Sequence, residues 1–169
     1  YFNTKIYSNN GKIYDKTGNK EFINYVSKWT FCEVSILKAD NIKHYKLNDN
    51  TINPNRYRIK DDVLYSLDIL EYKLDCDCWK PFISNDIQFE FIRLDPFIRQ
   101  PLKHEGNGHY SIQFKLPDVF GIYKFTVDYK RYGLSYLFTE DIVSVRPFRH
   151  DEYKRFIPMA YPYYMSTFS

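Results

Sequence analysis

The residues best equipped for chemistry lie in Asp75-Cys76-Asp77-Cys78. Two aspartates one residue apart can share a divalent cation, such as the one held by the diphosphate of a nucleotide sugar, and thiols are soft metal ligands in their own right. An oxygen cage needs further carboxylates or histidines, and none is clustered with this pair. A tetrahedral thiolate site needs a fourth ligand, which Cys32, Cys76 and Cys78 do not supply. The stretch reads as a solvated loop at the end of a strand, and the thiols as structural or adventitious. Three cysteines cannot all pair within the chain, and whether Cys32 pairs with Cys76 or with Cys78 stays open.

Other reactive groups are dispersed. His44, His104, His109 and His150 fall in turns and strand ends without metal-binding spacing, and read as surface residues. There is no Gly-x-Ser-x-Gly elbow to activate a serine. Gly106 and Gly108 lack the strand-to-helix setting of a phosphate loop and read as a hairpin turn. Asp61-Asp62 and Glu140-Asp141 could act as acid and base, but adjacent like charges more often discourage pairing at a strand edge. The C-terminal Arg155, Phe156, Tyr161, Tyr163 and Tyr164 form a different kind of group. Cations followed by amphipathic rings make a belt suited to a membrane–water interface, and equally a tail that packs along a domain.

The elements that would position these residues are mostly strands. Tyr110, Ile112, Phe114 and Leu116 alternate with polar residues, as do Tyr123, Phe125, Val127 and Tyr129, a period of two that marks half-buried strands. Lys130 to Gly133 interrupts the second run, and a β-rich arm resumes at Leu134 and ends before Pro147, which lacks an amide hydrogen. Tyr136 and Phe138 differ in parity from Val143 and Val145, which predicts a bulge at Thr139 to Asp141. Further strands are expected over 33–38, 43–47, 63–74 and 87–94, about seven in all. Asn19 to Phe31 carries Phe22, Tyr25, Val26 and Trp29 at helical spacing with Glu21 in its first turn, so a short helix is expected there.

The expected fold is mainly β, an antiparallel immunoglobulin-like β-sandwich over residues 32–149, without the Cys-Trp-Cys signature of true immunoglobulin domains. Residues 1–31, with the helix over 19–31, read as the remnant of an upstream domain. Residues 150–169 read as an aromatic juxtamembrane tail, too interrupted by proline for a helix. Twenty per cent aromatic residues, with 17 Tyr and 14 Phe, suit pleated sheet. A net charge of +3 without basic runs argues against nucleic acid. No apolar run within the sequence reaches the roughly 20 residues of a membrane span.

Asp86 to Arg99 (DIQFEFIRLDPFIR), Tyr110 to Tyr129, Val143 to Pro147 (VSVRP) and Arg155 to Met165 (RFIPMAYPYYM) together carry a resemblance. In order along the chain, they resemble the C-terminal lumenal part of the forty-eight-kilodalton subunit family of oligosaccharyltransferase. The helix with Ser27-Lys28-Trp29 is similar to one that closes the family's upstream domain. The likeness is weakest from Cys32 to Cys78, so Asn48 to Asn55 and the Cys76/Cys78 pair are expected to be particular to this chain. The resemblance implies a non-catalytic subunit without cofactors, which supports N-linked glycosylation in the endoplasmic reticulum membrane. It also implies contacts with other subunits, including the catalytic one, and a spanning helix after Ser169. Two other classes are a carbohydrate-binding β-sandwich, suggested by the many tyrosines, and an enzyme, which would need Asp75 and Asp77 to bind a divalent ion.

Overall fold

The computed structural model describes residues 5–7, 11–14, 18–47, 49, 51–73, 76–153 and 158–168. Two short strands, β1 (Ile6–Tyr7) and β2 (Ile13–Tyr14), pair with each other ahead of helix α1 (Asn19–Thr30). Gly18 stands at the helix N-cap without a side-chain cap, and the helix stops one residue short of the expected end. Cys32 takes a left-handed φ of 57° there, and the Glu33 amide donates to the Lys28 carbonyl at 2.8 Å.

Ten strands follow: β3 (Ile36–Lys46), β4 (Arg56–Arg58), β5 (Asp62–Lys73), β6 (Cys78–Pro81), β7 (Gln88–Ile92), β8 (Pro96–Pro101), β9 (Lys103–Gly106), β10 (His109–Lys115), β11 (Gly121–Tyr129) and β12 (Leu137–Arg146). One sheet has the order β3-β5-β10-β9, with β6 pairing β5 beyond the end of β10. The other has the order β4-β12-β11-β7-β8. Every pairing is antiparallel except β4 with β12. The fold is therefore mainly β, two antiparallel-rich sheets in a sandwich with a short helix ahead of them.

The alternating runs point where their periodicity requires. Val63, Tyr65, Leu67 and Ile69 of β5, with Tyr110, Ile112 and Phe114 of β10, meet Phe89 and Phe91 of β7 and Tyr123, Phe125 and Val127 of β11. Phe125 is the hub. Its ring lies 4.8 Å from His44, 5.2 Å from Phe91, 5.7 Å from Tyr65, and about 6 Å from Tyr57, Phe89 and Phe114. Tilted and edge-on rings at such separations gain more than their buried area alone provides.

Several expectations are corrected. The strands expected over 33–38 and 43–47 are one strand, bent by a register shift between Asp40 and Lys43 where Asn41 takes a φ of 52°. No bulge interrupts β12, which pairs with β11 in continuous register from Leu137 to Val145. The parity change is only apparent: Leu137, Thr139, Val143 and Val145 point inward, while Tyr136 and Phe138 are exposed and stack on each other at 6.0 Å. The second arm also begins later, at Leu137, because Leu134 instead bridges to Ser35 of the β3 entry. The tail contains a helix after all, α2 (Tyr161–Phe168), preceded by a 3-10 turn at Pro158–Ala160. Pro162 stands in its first turn, where an amide hydrogen has no intrahelical acceptor.

Gly106, Asn107 and Gly108 all take positive φ in the β9–β10 turn, as a tight hairpin demands. A Cβ on Gly108 would meet the Ile69 carbonyl at 2.6 Å, so β5 can approach only a glycine.

Phe125→Ala is expected to cost about 3–5 kcal/mol through the cavity left at the hub. Leu94→Ala, at a residue 91% exposed, is expected to stay within about 0.5 kcal/mol. Urea denaturation midpoints check both, and equal losses would show that the ring cluster does not dominate the core.

Candidate functional site

The residues singled out at the C terminus divide in two. Arg155 and Phe156 lie outside the described residues. Tyr161, Tyr163 and Tyr164 all lie on α2, where none of the residues is buried. Tyr161, Met165 and Phe168 recur at helical spacing and are exposed, so α2 presents an apolar stripe. Tyr163 is 76% exposed on a different side. Ser166 and Thr167 donate their hydroxyls to the Tyr163 carbonyl at 2.8 and 2.9 Å, which turns their polar groups inward to the backbone. The helix carries no charged side chain.

A polar knot forms where β12 ends. Arg146 donates two hydrogen bonds to Glu152, at 2.7 and 2.8 Å, and Glu152 also accepts the Arg149 amide at 2.9 Å. The 3-10 turn His150–Glu152 is thereby tied to the last residue of the strand. Arg58 of β4 extends the knot, with Nη1 3.8 Å from Glu152 and Nε 3.0 Å from Asp61, while Lys46 lies 3.1 Å from Asp61. The Arg58 guanidinium covers the Phe148 ring at 5.3 Å, and that ring meets Tyr153 edge-on. These donors hold the Glu152 carboxyl down at about 2. Asp61 is buried in this knot, and Asp62 begins the interior strand β5, so the edge-protecting role expected for the pair does not apply.

The opposite end of the sandwich carries a cleft of about 640 Å³ between α1 and the loop joining β11 to β12. Cys32, Lys130, Arg131, Tyr132 and Tyr136 line it. Trp29 stacks on Tyr132 at 6.2 Å and rests against Gly133, where an added Cβ would come within 3.0 Å of the indole. Nearby, desolvation pushes the Asp86 carboxyl up, but hydrogen bonds from the Ser84 hydroxyl and from the Tyr129 hydroxyl at 3.1 Å, with Arg131 at 3.2 Å, hold it below the usual range.

The acidic and thiol stretch also resolves. Asp75 lies outside the described residues, and Asp77 accepts the Tyr72 hydroxyl. Cys76 and Cys78 are disulfide-bonded to each other, with Cα atoms 5.3 Å apart, and Cys32 is free and exposed. Neither Cys32 pairing left open by the sequence occurs. Among the described residues no three of His, Cys, Asp and Glu are grouped so as to hold a metal ion.

His44 is the residue sequence reasoning placed wrongly. It is buried, its Nδ1 shares a 2.6 Å hydrogen bond with the Tyr57 hydroxyl, and burial lowers its pKa against the opposing pull of Asp141. Only the bend at Asn41, which resets the parity of β3, turns His44 inward. That bend has no strong signal in the local sequence.

Two sheets around a ring-packed core, with aromatic side chains presented outward at both ends, define a β-sandwich domain. A family model described as OST48 middle domain matches residues 44–169. Curated relatives named dolichyl-diphosphooligosaccharide–protein glycosyltransferase 48 kDa subunit are similar across the chain. The one from Danio rerio is 43% identical over 100% of the chain and 38% of its own length. That from Drosophila melanogaster is 41% identical over 99% and 37%, and that from Arabidopsis thaliana 40% identical over 92% and 35%. The chain belongs to the OST48 family. It spans well under half the length of these relatives.

Arg146→Ala is expected to leave the sandwich folded, at a cost of about 1 kcal/mol or less, while releasing the turn at 150–152. Amide exchange over 148–153 should accelerate, and unchanged protection there would show that the knot does not hold the segment.

Stability should also fall on acidification in two steps. The buried His44 has a folded pKa below its unfolded 6.5, so the unfolded chain takes the proton first and stability drops as pH falls from 6.5 towards the folded value. Glu152 adds stability that is present above its unfolded 4.5 and lost as pH falls towards about 2. Urea titrations at pH 7.5, 5.5 and 3.5 check this, and His44→Gln should flatten the upper step alone.

Proposed function

We propose that this chain is part of a non-catalytic lumenal subunit of oligosaccharyltransferase, supporting assembly of the complex and N-linked glycosylation in the endoplasmic reticulum. The observation that carries the reading is its similarity, over nearly all its length, to proteins named as the 48 kDa subunit of that glycosyltransferase. The non-catalytic role is supported by what the carboxylates already do: Asp61, Asp86 and Glu152 are each engaged in fastening a loop or turn to the sandwich. The exposed α2 stripe is the surface for a neighbouring subunit or the membrane interface, with Arg155 and Phe156 leading into it. A spanning helix after Ser169 is part of the same proposal. No helix among the described residues is long and apolar enough to cross a membrane.

Alanine at Tyr161, Tyr163 and Tyr164 together, in the full-length protein, should reduce recovery of the assembled complex and underglycosylate reporter proteins while leaving the sandwich folded. Intact assembly and normal glycosylation would sink the assignment of α2.

A second reading, a carbohydrate-binding module, is favoured by one observation. The cleft near α1 exposes the Tyr132 and Tyr136 rings beside Lys130 and Arg131, an arrangement able to stack on sugars. Calorimetric titration with oligosaccharide separates the two, since only the second requires a measurable affinity.

A further inference from the structure

The Cys76–Cys78 bond stands apart from the functions considered above. A disulfide resists reduction in proportion to what it contributes to the fold, and that contribution grows with the length of chain it closes. This one closes a loop with a single intervening residue, Asp77. The hairpin that carries it is secured independently, by the ladder pairing Leu70 with Pro81, Glu71 with Lys80, Tyr72 with Trp79 and Lys73 with Cys78. Opening the bond therefore leaves the strands paired and forfeits little stability.

Its surroundings favour exchange. Cys76 is exposed and Cys78 half-buried, so an incoming thiolate reaches the Cys76 sulfur first and Cys78 is the leaving group. Lys73 stands directly opposite Cys78 in the ladder and Lys80 lies two residues along the same face. Glu71, opposite Lys80, is 3.8 Å from the Lys73 ammonium. Lys73 and Lys80 are balanced by the carboxylates of Glu71 and of Asp77, which lies between the two cysteines. On the other face the Tyr72 and Trp79 rings pack at 5.1 Å, with Trp79 about half exposed, which gives a polypeptide an apolar surface beside the sulfurs.

We propose that Cys76–Cys78 is a redox-exchangeable disulfide that accepts electrons from accessible thiols, those of a polypeptide or of glutathione. A thiolate attacks Sγ of Cys76, forming a mixed disulfide and releasing Cys78 as a thiolate, which takes up a proton. A second thiol, from the same polypeptide or another glutathione, attacks the mixed disulfide and releases Cys76 as its thiol. The partner is oxidised to a disulfide by two electrons, and the chain gains two thiols.

The test uses the intact protein carrying Cys32→Ser, equilibrated in glutathione buffers of stepped ratio, acid-quenched, alkylated and digested with trypsin. The peptide that follows Lys73 should gain two alkyl groups together as the buffer becomes more reducing, with the far-UV spectrum unchanged. A synthetic peptide bearing a cysteine pair should be oxidised mole for mole. Faster oxidation of the peptide than of glutathione names polypeptides as the partner, and the reverse names glutathione. Cys78→Ser, which leaves no bond for a thiolate to open, should oxidise neither the reduced peptide nor reduced glutathione. The proposal is overturned if the bond stays closed at the most reducing ratio, if it opens only in denaturant, or if neither thiol source is oxidised.

Discussion

The whole sandwich turns on the ring of Phe125. Six other rings surround it, drawn from β3, β5 and β10 of the facing sheet and from β4 and β7 of its own, so one side chain on β11 is in contact distance of nearly every strand that supplies the core. Rings in tilted contact fill space with few rotatable bonds, and their edges and faces are oppositely polarised, so orientation matters as well as volume. The same constraint explains why a histidine is tolerated inside. His44 meets Phe125 ring to ring and sends its nitrogen to the Tyr57 hydroxyl, so its burial leaves that nitrogen partnered.

With the core settled by rings, the charged residues are free to fix what surrounds it. Asp61 and Glu152 gather Lys46, Arg58 and Arg146 at the end where the chain leaves β12, and Asp86 gathers Tyr129 and Arg131 at the other. Each group joins a loop to a strand end. Such fastening ties the loops at both ends to the sandwich.

The sequence made the long strands readable because their inward positions are apolar without a break, as in Tyr110 to Leu116 and Tyr123 to Tyr129. The short ones escaped. β4 is Arg56-Tyr57-Arg58, whose single buried residue carries no period, and it exists because β12 pairs with it from far along the chain. β8 is bounded by Pro96 and Pro101, which suit an outer strand and hide it from any pattern search. Tyr136 and Phe138 misled for the opposite reason: large rings suggest a core, yet both face outward and cover each other. At the candidate site, residue types marked Tyr161, Tyr163 and Tyr164 as unusual. The knot of Arg58, Arg146 and Glu152 joins residues too far apart in sequence to be seen there. The same limit applied to the thiols, since nothing in Cys-Asp-Cys says whether a bond closes within the turn or reaches across the fold.

The parallel pairing of β4 with β12 bears on how the domain comes into being during synthesis. Ser144 hydrogen-bonds the carbonyl of Asn55, eighty-nine positions earlier, so β4 waits without its sheet partner until nearly the whole domain has been made. The first sheet can assemble once β10 has emerged, but the second gains its closing strand only with Arg146. A nascent chain of this kind carries an incomplete hydrophobic face through most of its elongation, and contacts so distant in sequence form slowly. The interval between the appearance of Tyr57 and that of Val145 is therefore when the domain is most exposed to misassembly, and when a chaperone would find the most to bind.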